Sequence, residues 1–212
     1  MVMVRGKFIT LEGSEGVGKT TNLEFVYRYL ESAGIESVQT REPGGTPLAE
    51  ELREILLAVR EETMSAQAEL LMMFAARSQH LDQVIEPHLA AGRWVICDRF
   101  TDATYAYQGG GRGVDEDQIA ALEALVHGDL QPDLTLYLDL APEIASQRIA
   151  QRKADRFELE KRAFFERVRA SYLNRAERYK RFAVIDASVT LAEVQNRIAD
   201  VLQSLIESNE SE

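Results

Sequence analysis

Residues 13–20 read Gly-Ser-Glu-Gly-Val-Gly-Lys-Thr, with a second threonine, Thr21, directly after. The spacing fits G-x-x-x-x-G-K-[ST], the phosphate-binding P-loop pattern. Gly13, Gly16 and Gly18 let the backbone turn tightly and aim its N–H groups inward with no Cβ in the way. Ser14, Glu15 and Val17 complete the loop. Lys19 is the cation expected at the β- and γ-phosphates, and the Thr20 hydroxyl is an expected Mg²⁺ ligand. A second stretch, Trp-Val-Ile-Cys-Asp at 94–98, is an apolar run ending in a carboxylate. Asp98 is therefore the second group expected to hold Mg²⁺ or its water shell. Together these residues read as a site for a nucleoside triphosphate with Mg²⁺, and the group that accepts the γ-phosphoryl has to be sought elsewhere.

Three sets of side chains are candidates for the acceptor. Arg41 closes the run SVQT, and Arg99 follows Asp98. Both fall at strand ends, where open α/β sheets bind ligands, and a pair of guanidiniums there can clamp a second phosphate. Surface salt bridges are the plainer alternative for each. Phe74 and Arg77 lie three residues apart, on one helix face. They suit either core packing or a flat ligand stacked on the ring and hydrogen-bonded at its edge. Arg148, Arg152 and Arg156 are spaced by four, as in a solvated charged face or in a lid that brings cations over transferring phosphates. Gln108 to Gly113, Gln-Gly-Gly-Gly-Arg-Gly, reads as a flexible or closely approaching loop, or as a plain surface loop.

The elements that must position these groups follow from hydrophobic periodicity. Short apolar runs at 8–11, 37–40, 94–97, 134–140 and 183–185 read as strands, separated by segments of helical period. That alternation predicts a parallel sheet with helices on both faces. A helix over 20–33 carries Leu23, Val26, Tyr27 and Leu30 on one face and stops at Gly34. The next starts with Thr46 as cap and Pro47 in first position, with an apolar face of Leu48, Leu52, Ile55, Leu56 and Val59. A long helix is expected from Ser65 toward Pro87, which should kink or restart it. Further helices are expected over 115–126, 143–152, 158–181 and 191–206.

The 212 residues show no repeat, low-complexity block or linker, so one domain spanning 1–212 is the expectation. No stretch approaches a membrane span, and the N-terminal residues carry no signal-peptide pattern. A net charge of −11 argues against nucleic acid as a partner. Positive charge for an anionic ligand must then be local. Cys97, the one cysteine, excludes an internal disulfide, is read as a small core residue and is compatible with a reducing cytoplasm. The three histidines show no metal-ligand spacing. No Asn-Lys-x-Asp run reads guanine, and no Leu-Ser-Gly-Gly-Gln run marks a transporter ATPase.

FITLEGSEGVGKTT, TREPGGTPLAEELR, LLMMFAARSQH, WVICDRF, TYAYQGGGRG, PDLTLYLDL, DRFE and VIDAS, in this order over about residues 7–188, resemble the bacterial thymidylate kinases. The resemblance implies a five-stranded parallel P-loop NTPase core with a short lid at about 148–160. It also implies transfer of a phosphoryl group from ATP to dTMP, Mg²⁺ as cofactor, and a cytoplasmic homodimer. By this resemblance Arg41 and Arg99 meet the dTMP phosphate, Phe74 stacks on thymine and Arg77 bonds its edge. Thr104, Tyr107 and Gln108 border the base and sugar, and Glu15 approaches the 3′-hydroxyl. Pro43 matches a proline often preceded by a cis peptide, and 186–188 contacts adenine. The P-loop position that holds an arginine in some members is Gly16 here, and the lid arginines Arg152 and Arg156 take the catalytic part beside Lys19, Arg99 and Asp98. Another P-loop nucleotide kinase, or a nucleotide-binding switch without turnover, are the competing readings.

Overall fold

The structure, a computed structural model, describes residues 5–149 and 155–210. Each apolar run forms a strand: β1 (Phe8–Glu12), β2 (Ser37–Arg41), β3 (Trp94–Asp98), β4 (Leu134–Asp139) and β5 (Phe182–Asp186). They make one sheet in the order β2-β3-β1-β4-β5, and every pairing is parallel. Parallel strands need crossovers, which puts helices on both faces.

The two-residue period of the strands sorts side chains between those faces. Ile9, Leu11, Ile96, Leu136 and Leu138 point to a core closed by Val26 and Leu30 of α1 (Lys19–Ser32) and by Val194, Ile198 and Leu202 of α9 (Leu191–Glu210). Phe8, Val95 and Cys97 point the other way, against Leu81, Ile85 and Leu89. Burying each such side chain contributes about 1.5–3 kcal/mol. Cys97 is thus the buried core residue expected.

Helix boundaries follow their chemical signals, with instructive departures. α2 (Pro47–Leu57) is capped by the Thr46 hydroxyl, which accepts from Ala49 N at 3.2 Å. Its inward face is only partly the one expected: Leu56 is buried and Leu52 half-buried as expected, and Ala49 is buried too, whereas Leu48 and Ile55 are exposed and Val59 lies beyond the helix. α3 (Ala66–His80) is capped by Ser65 as expected. It then widens into a π-helical turn, Leu81–Ile85, before α4 (Glu86–Ala90), which has Pro87 in its first turn. After β3 the chain forms the short α5 (Thr101–Thr104) and a second π-helical segment, Tyr105–Gly111, in place of the loop expected there. α6 (Glu116–Val126) and α7 (Pro142–Ile149) follow. α8 (Arg162–Arg178) starts later than expected. The reason is local: Asp155 Oδ1 accepts from Phe157 N at 2.9 Å and Glu158 N at 3.0 Å, winding 155–160 into a separate turn.

The carboxyl ends of β1, β2 and β3 meet in register, with Asp98 paired beside both Leu11 and Arg41. The loops leaving these ends carry the P-loop, the Arg41–Thr46 turn and Arg99, and this edge of the sheet is where the candidate groups converge.

Candidate active site

The P-loop links β1 to α1. Gly13, Gly16 and Gly18 all have positive φ, which a side chain would strain. At Gly13 a Cβ would also meet Leu138 O at 2.7 Å. Gly18 caps α1 with no side-chain hydrogen bond, and no acidic residue occupies the first turn. The N-terminal donors and the positive end of the helix dipole therefore stay open to an anion. Lys19 Nζ folds back onto Gly13 O and Ser14 O, each at 3.1 Å. Burial and the nearby Arg99 charge lower its pKa, against the pull of Asp98 and Glu15. Thr20 and Thr21 are exposed at the start of α1.

Asp98 Oδ1 is buried and has no hydrogen-bond partner among the described residues. A buried carboxylate oxygen without a donor fits a cation. Together with the Thr20 hydroxyl it forms an oxygen-only donor set of the kind Mg²⁺ takes. No cluster of His, Cys, Asp and Glu suited to a transition metal occurs among the described residues.

Beside the P-loop lies a cavity of about 600 Å³, counted out to its mouth. Glu15, Pro43, Arg77, Arg99, Thr104, Tyr107 and Gln108 line it, as expected of acceptor residues. The Glu42–Pro43 peptide is cis. Arg99 adopts a left-handed backbone, φ 72°, held by its N–H to Leu11 O at 3.0 Å. Such strain in a non-glycine residue is typical of functional positions. Arg99 Nη2 donates to Glu15 Oε1 at 2.5 Å, Tyr107 Oη donates to Glu15 Oε2 at 2.9 Å, and Arg99 Nη1 is buried without a partner. Burial alone would raise the pKa of Glu15, but Arg99 and Lys19 outweigh it and hold the carboxyl below its ordinary range. Behind this pair, Glu12 accepts from Phe100 N and Tyr172 Oη, both at 2.7 Å. Burial, then Asp102, push its pKa up to about 8.

Arg77 is 3 % exposed. It gives Nε to Glu42 Oε2 at 2.7 Å and Nη2 to Thr104 Oγ1 at 3.0 Å, and its Nη1 has no partner. His80 supports the same carboxylate, its Nδ1 3.1 Å from Glu42 Oε1. A buried donor at a cavity wall is costly until a ligand acceptor satisfies it. Arginine offers donors only, so it suits a ligand acceptor such as a carbonyl oxygen and not an amino group.

Two expected acceptor residues are placed otherwise. Phe74 does not line the cavity. Its ring is buried with Leu70, Tyr105 and Ile119, and the Arg77 guanidinium lies 4.7 Å from its centre. Met73 lines the cavity instead, with Arg77 one turn on. The helical i, i+4 relation from Arg77 could have selected Met73, whereas the aromatic ring drew attention to its neighbour. Arg41 is the other case. It is 54 % exposed and pairs with Glu50, Nη2 to Oε2 at 2.8 Å. Arg53, from α2, lines the cavity in its stead and donates to Pro43 O at 2.8 Å. Burial first, then the charges of Arg41 and Arg99, lower the Arg53 pKa against the pull of Glu50.

A second cavity, lined by Ser14, Glu15, Ser146 and Gln147, runs between the P-loop and α7. Glu15 is common to both cavities. Arg148 Nη2 donates to Ala187 O at 3.2 Å, within the 186–188 turn expected to touch adenine. Arg152 lies outside the described residues. Arg156 pairs with Glu69, Nη1 to Oε2 at 2.7 Å, and donates Nε to Leu56 O at 2.8 Å.

The family model described as "Thymidylate kinase" matches residues 11–198. The thymidylate kinase of Pseudomonas syringae pv. tomato is 57% identical over 204 residues, 95% of this chain and 97% of that protein. That of Chromohalobacter salexigens is 60% identical over 201 residues, 93% and 95% of the two. The crystal structure of thymidylate kinase from Ehrlichia chaffeensis superposes with a TM-score of 0.75 at 34% identity, covering 93% of this chain and 99% of that one. The match runs from the P-loop strand through the last helix, and on it the chain belongs to the thymidylate kinase family.

Proposed function

We propose that this protein transfers the γ-phosphoryl group of ATP to dTMP. An oxygen of the dTMP phosphate bonds to the γ-phosphorus, the bond from that phosphorus to the β–γ bridging oxygen breaks, and ADP leaves with the electron pair. The observation that carries the reading is the Arg99-paired Glu15, common to two cavities, one between the P-loop and α7 and one walled by Arg53, Arg77 and Arg99.

Such transfer needs alignment and charge neutralisation more than covalent help. Lys19 and the open start of α1 hold the donor phosphates, and Arg53 and Arg99 hold the acceptor phosphate in line. Mg²⁺, held by Asp98 and Thr20, supplies further neutralisation of phosphate charge when bound. Arg77 Nη1 takes the O4 carbonyl of thymine, and Met73 covers the base. Glu15 accepts from the 3′-hydroxyl, while Tyr107 fills the space a 2′-hydroxyl would need. A lid arginine, Arg152 or Arg156, meets the γ-phosphate; Arg156 pairs with Glu69, and Arg152 lies outside the described residues. The whole chain acts as one domain with a lid at about 148–160, in the cytoplasm and as a homodimer.

A coupled assay of ADP release with dTMP, dUMP, dCMP and AMP tests this reading. Release is expected with dTMP and to be poorer by about 10⁴ in kcat/KM with dCMP, because cytosine sets an amino donor against the Arg77 donor. Release without any acceptor, or equal rates for dCMP and dTMP, contradicts it.

A further inference from the structure

Glu69 has no part in the chemistry above, yet it is a heavily engaged buried carboxylate near the acceptor cavity. It sits in the first turn of α3 with a fully buried side chain. Three groups from two other segments reach it. Gln108, a cavity wall, donates Nε2 to Oε1 at 2.7 Å. Arg112, just past the π-helical segment, points Nε at both oxygens, at 3.4 and 3.3 Å. Arg156, in the 155–160 turn, brings Nη1 to Oε2 at 2.7 Å. Arg112 also pairs with Glu160 at the far end of the same turn.

This wiring has a geometric result. Asp155 and Phe157, either side of Arg156, line the acceptor cavity. Arg156 pins that turn to the end of α2 through Leu56 O and Leu57 O and to α3 through Glu69. The Phe157 ring is held between cations, 4.5 Å from the Arg156 guanidinium and 5.5 Å from that of Arg112, with Tyr107 packed edge-on at 5.8 Å. An ionised carboxylate only accepts, so Glu69 also decides which end of the Gln108 amide faces it. We propose that Glu69 is a positioning residue for the acceptor: through Arg156 and Arg112 it seats the Phe157 wall on the cavity, and through Gln108 it sets the orientation of one polar wall. The proposal rests on the acceptor cavity assigned above and deepens that reading.

The test is steady-state kinetics of E69Q and R112Q beside the wild type, with ATP and with whichever monophosphate the wild type uses best. The wild-type acceptor preference judges the phosphotransfer reading, and the ratio of variant to wild type judges Glu69. E69Q keeps the shape and removes the charge. R112Q cuts the Arg112–Glu69 contact from the other side, so it serves if E69Q does not fold. KM for the monophosphate should rise ~10-fold or more in each, as for a lost bond to a charged group. KM for ATP and kcat should stay within about twofold. The double variant should be little worse than either single one, since both remove one shared contact. A monophosphate KM unchanged in either folded variant, an equal loss in both substrates' KM and in kcat as expected of a merely structural hub, or a loss confined to ATP would overturn the proposal.

Discussion

At the scale of the residue, the cavity is built from unsatisfied charge. Arg77 Nη1, Arg99 Nη1 and Asp98 Oδ1 are all buried without partners among the described residues, which a stability-driven core would not leave so. Their other atoms are fixed, Arg77 by Glu42 and Thr104 and Arg99 by Glu15, so each free atom is aimed in advance of the ligand. The contrast between Arg41 and Arg53 belongs here as well. Arg41 already has a carboxylate partner, whereas Arg53 donates to a backbone carbonyl and lines the cavity. Removing Arg53 should therefore cost more than removing Arg41. R53A is expected to raise Kd for dTMP by ~10- to 100-fold, the worth of one or two bonds to a charged phosphate, and R41A by a few-fold. Isothermal titration with dTMP reads both, and an equal or reversed ranking would return the phosphate to Arg41.

At the scale of the element, the π-helical segment Tyr105–Gly111 has two working faces. Thr104, Tyr107 and Gln108, spaced i, i+3 and i+4, meet one cavity, while Gly110 and Gly111 press on α8. A Cβ at Gly111 would stand 2.4 Å from the Phe164 ring, and one at Gly110 would stand 2.8 Å from Ser171 Cβ and 3.0 Å from Arg167 O. The run Gly109-Gly110-Gly111 is therefore a close-packing surface, one of the two meanings its composition allowed. G111A should destabilise the fold by about 1–3 kcal/mol through overpacking. In a chain of this size that is a fall of roughly 2–12 °C in melting temperature, measurable by calorimetry. An unchanged Tm would mean that the segment yields easily and does not set the cavity wall.

At the scale of the whole molecule, a chain of net charge −11 binds anions by concentrating Lys19, Arg53, Arg77 and Arg99 at one sheet edge. Among the described residues no helix is long and apolar enough to cross a membrane. The outer side of the α2–α3–α6 layer is unusual for such a polar surface. Leu48 and Ile55 on α2, Leu71 on α3 and Leu125 on α6 are all exposed, Leu125 at 79 %. The partly misassigned apolar face of α2 has the same origin: one stripe serves the core and the other lies on the surface. This supports the proposed homodimer. Sedimentation equilibrium should give two chains for the wild type and one for L71E, because a charge at such a face costs more than the contact is worth. A monomeric wild type would end that proposal.

The local order of the chain was written in its residues. Strand positions came from apolar runs, the P-loop from glycine and lysine spacing, and helix starts from Thr46 and Ser65, because propensity, capping and φ preference act over a few residues. Tertiary structure decided what needed three dimensions. Met73 rather than Phe74, and Arg53 rather than Arg41, meet the cavity because helix rotation and a competing Glu50 settle which side chain is presented. The buried carboxylates Glu42 and Glu69 carry no sequence signature, since their partners, Arg77 35 residues along the chain from Glu42 and Gln108 39 from Glu69, become neighbours only when the sheet edge closes.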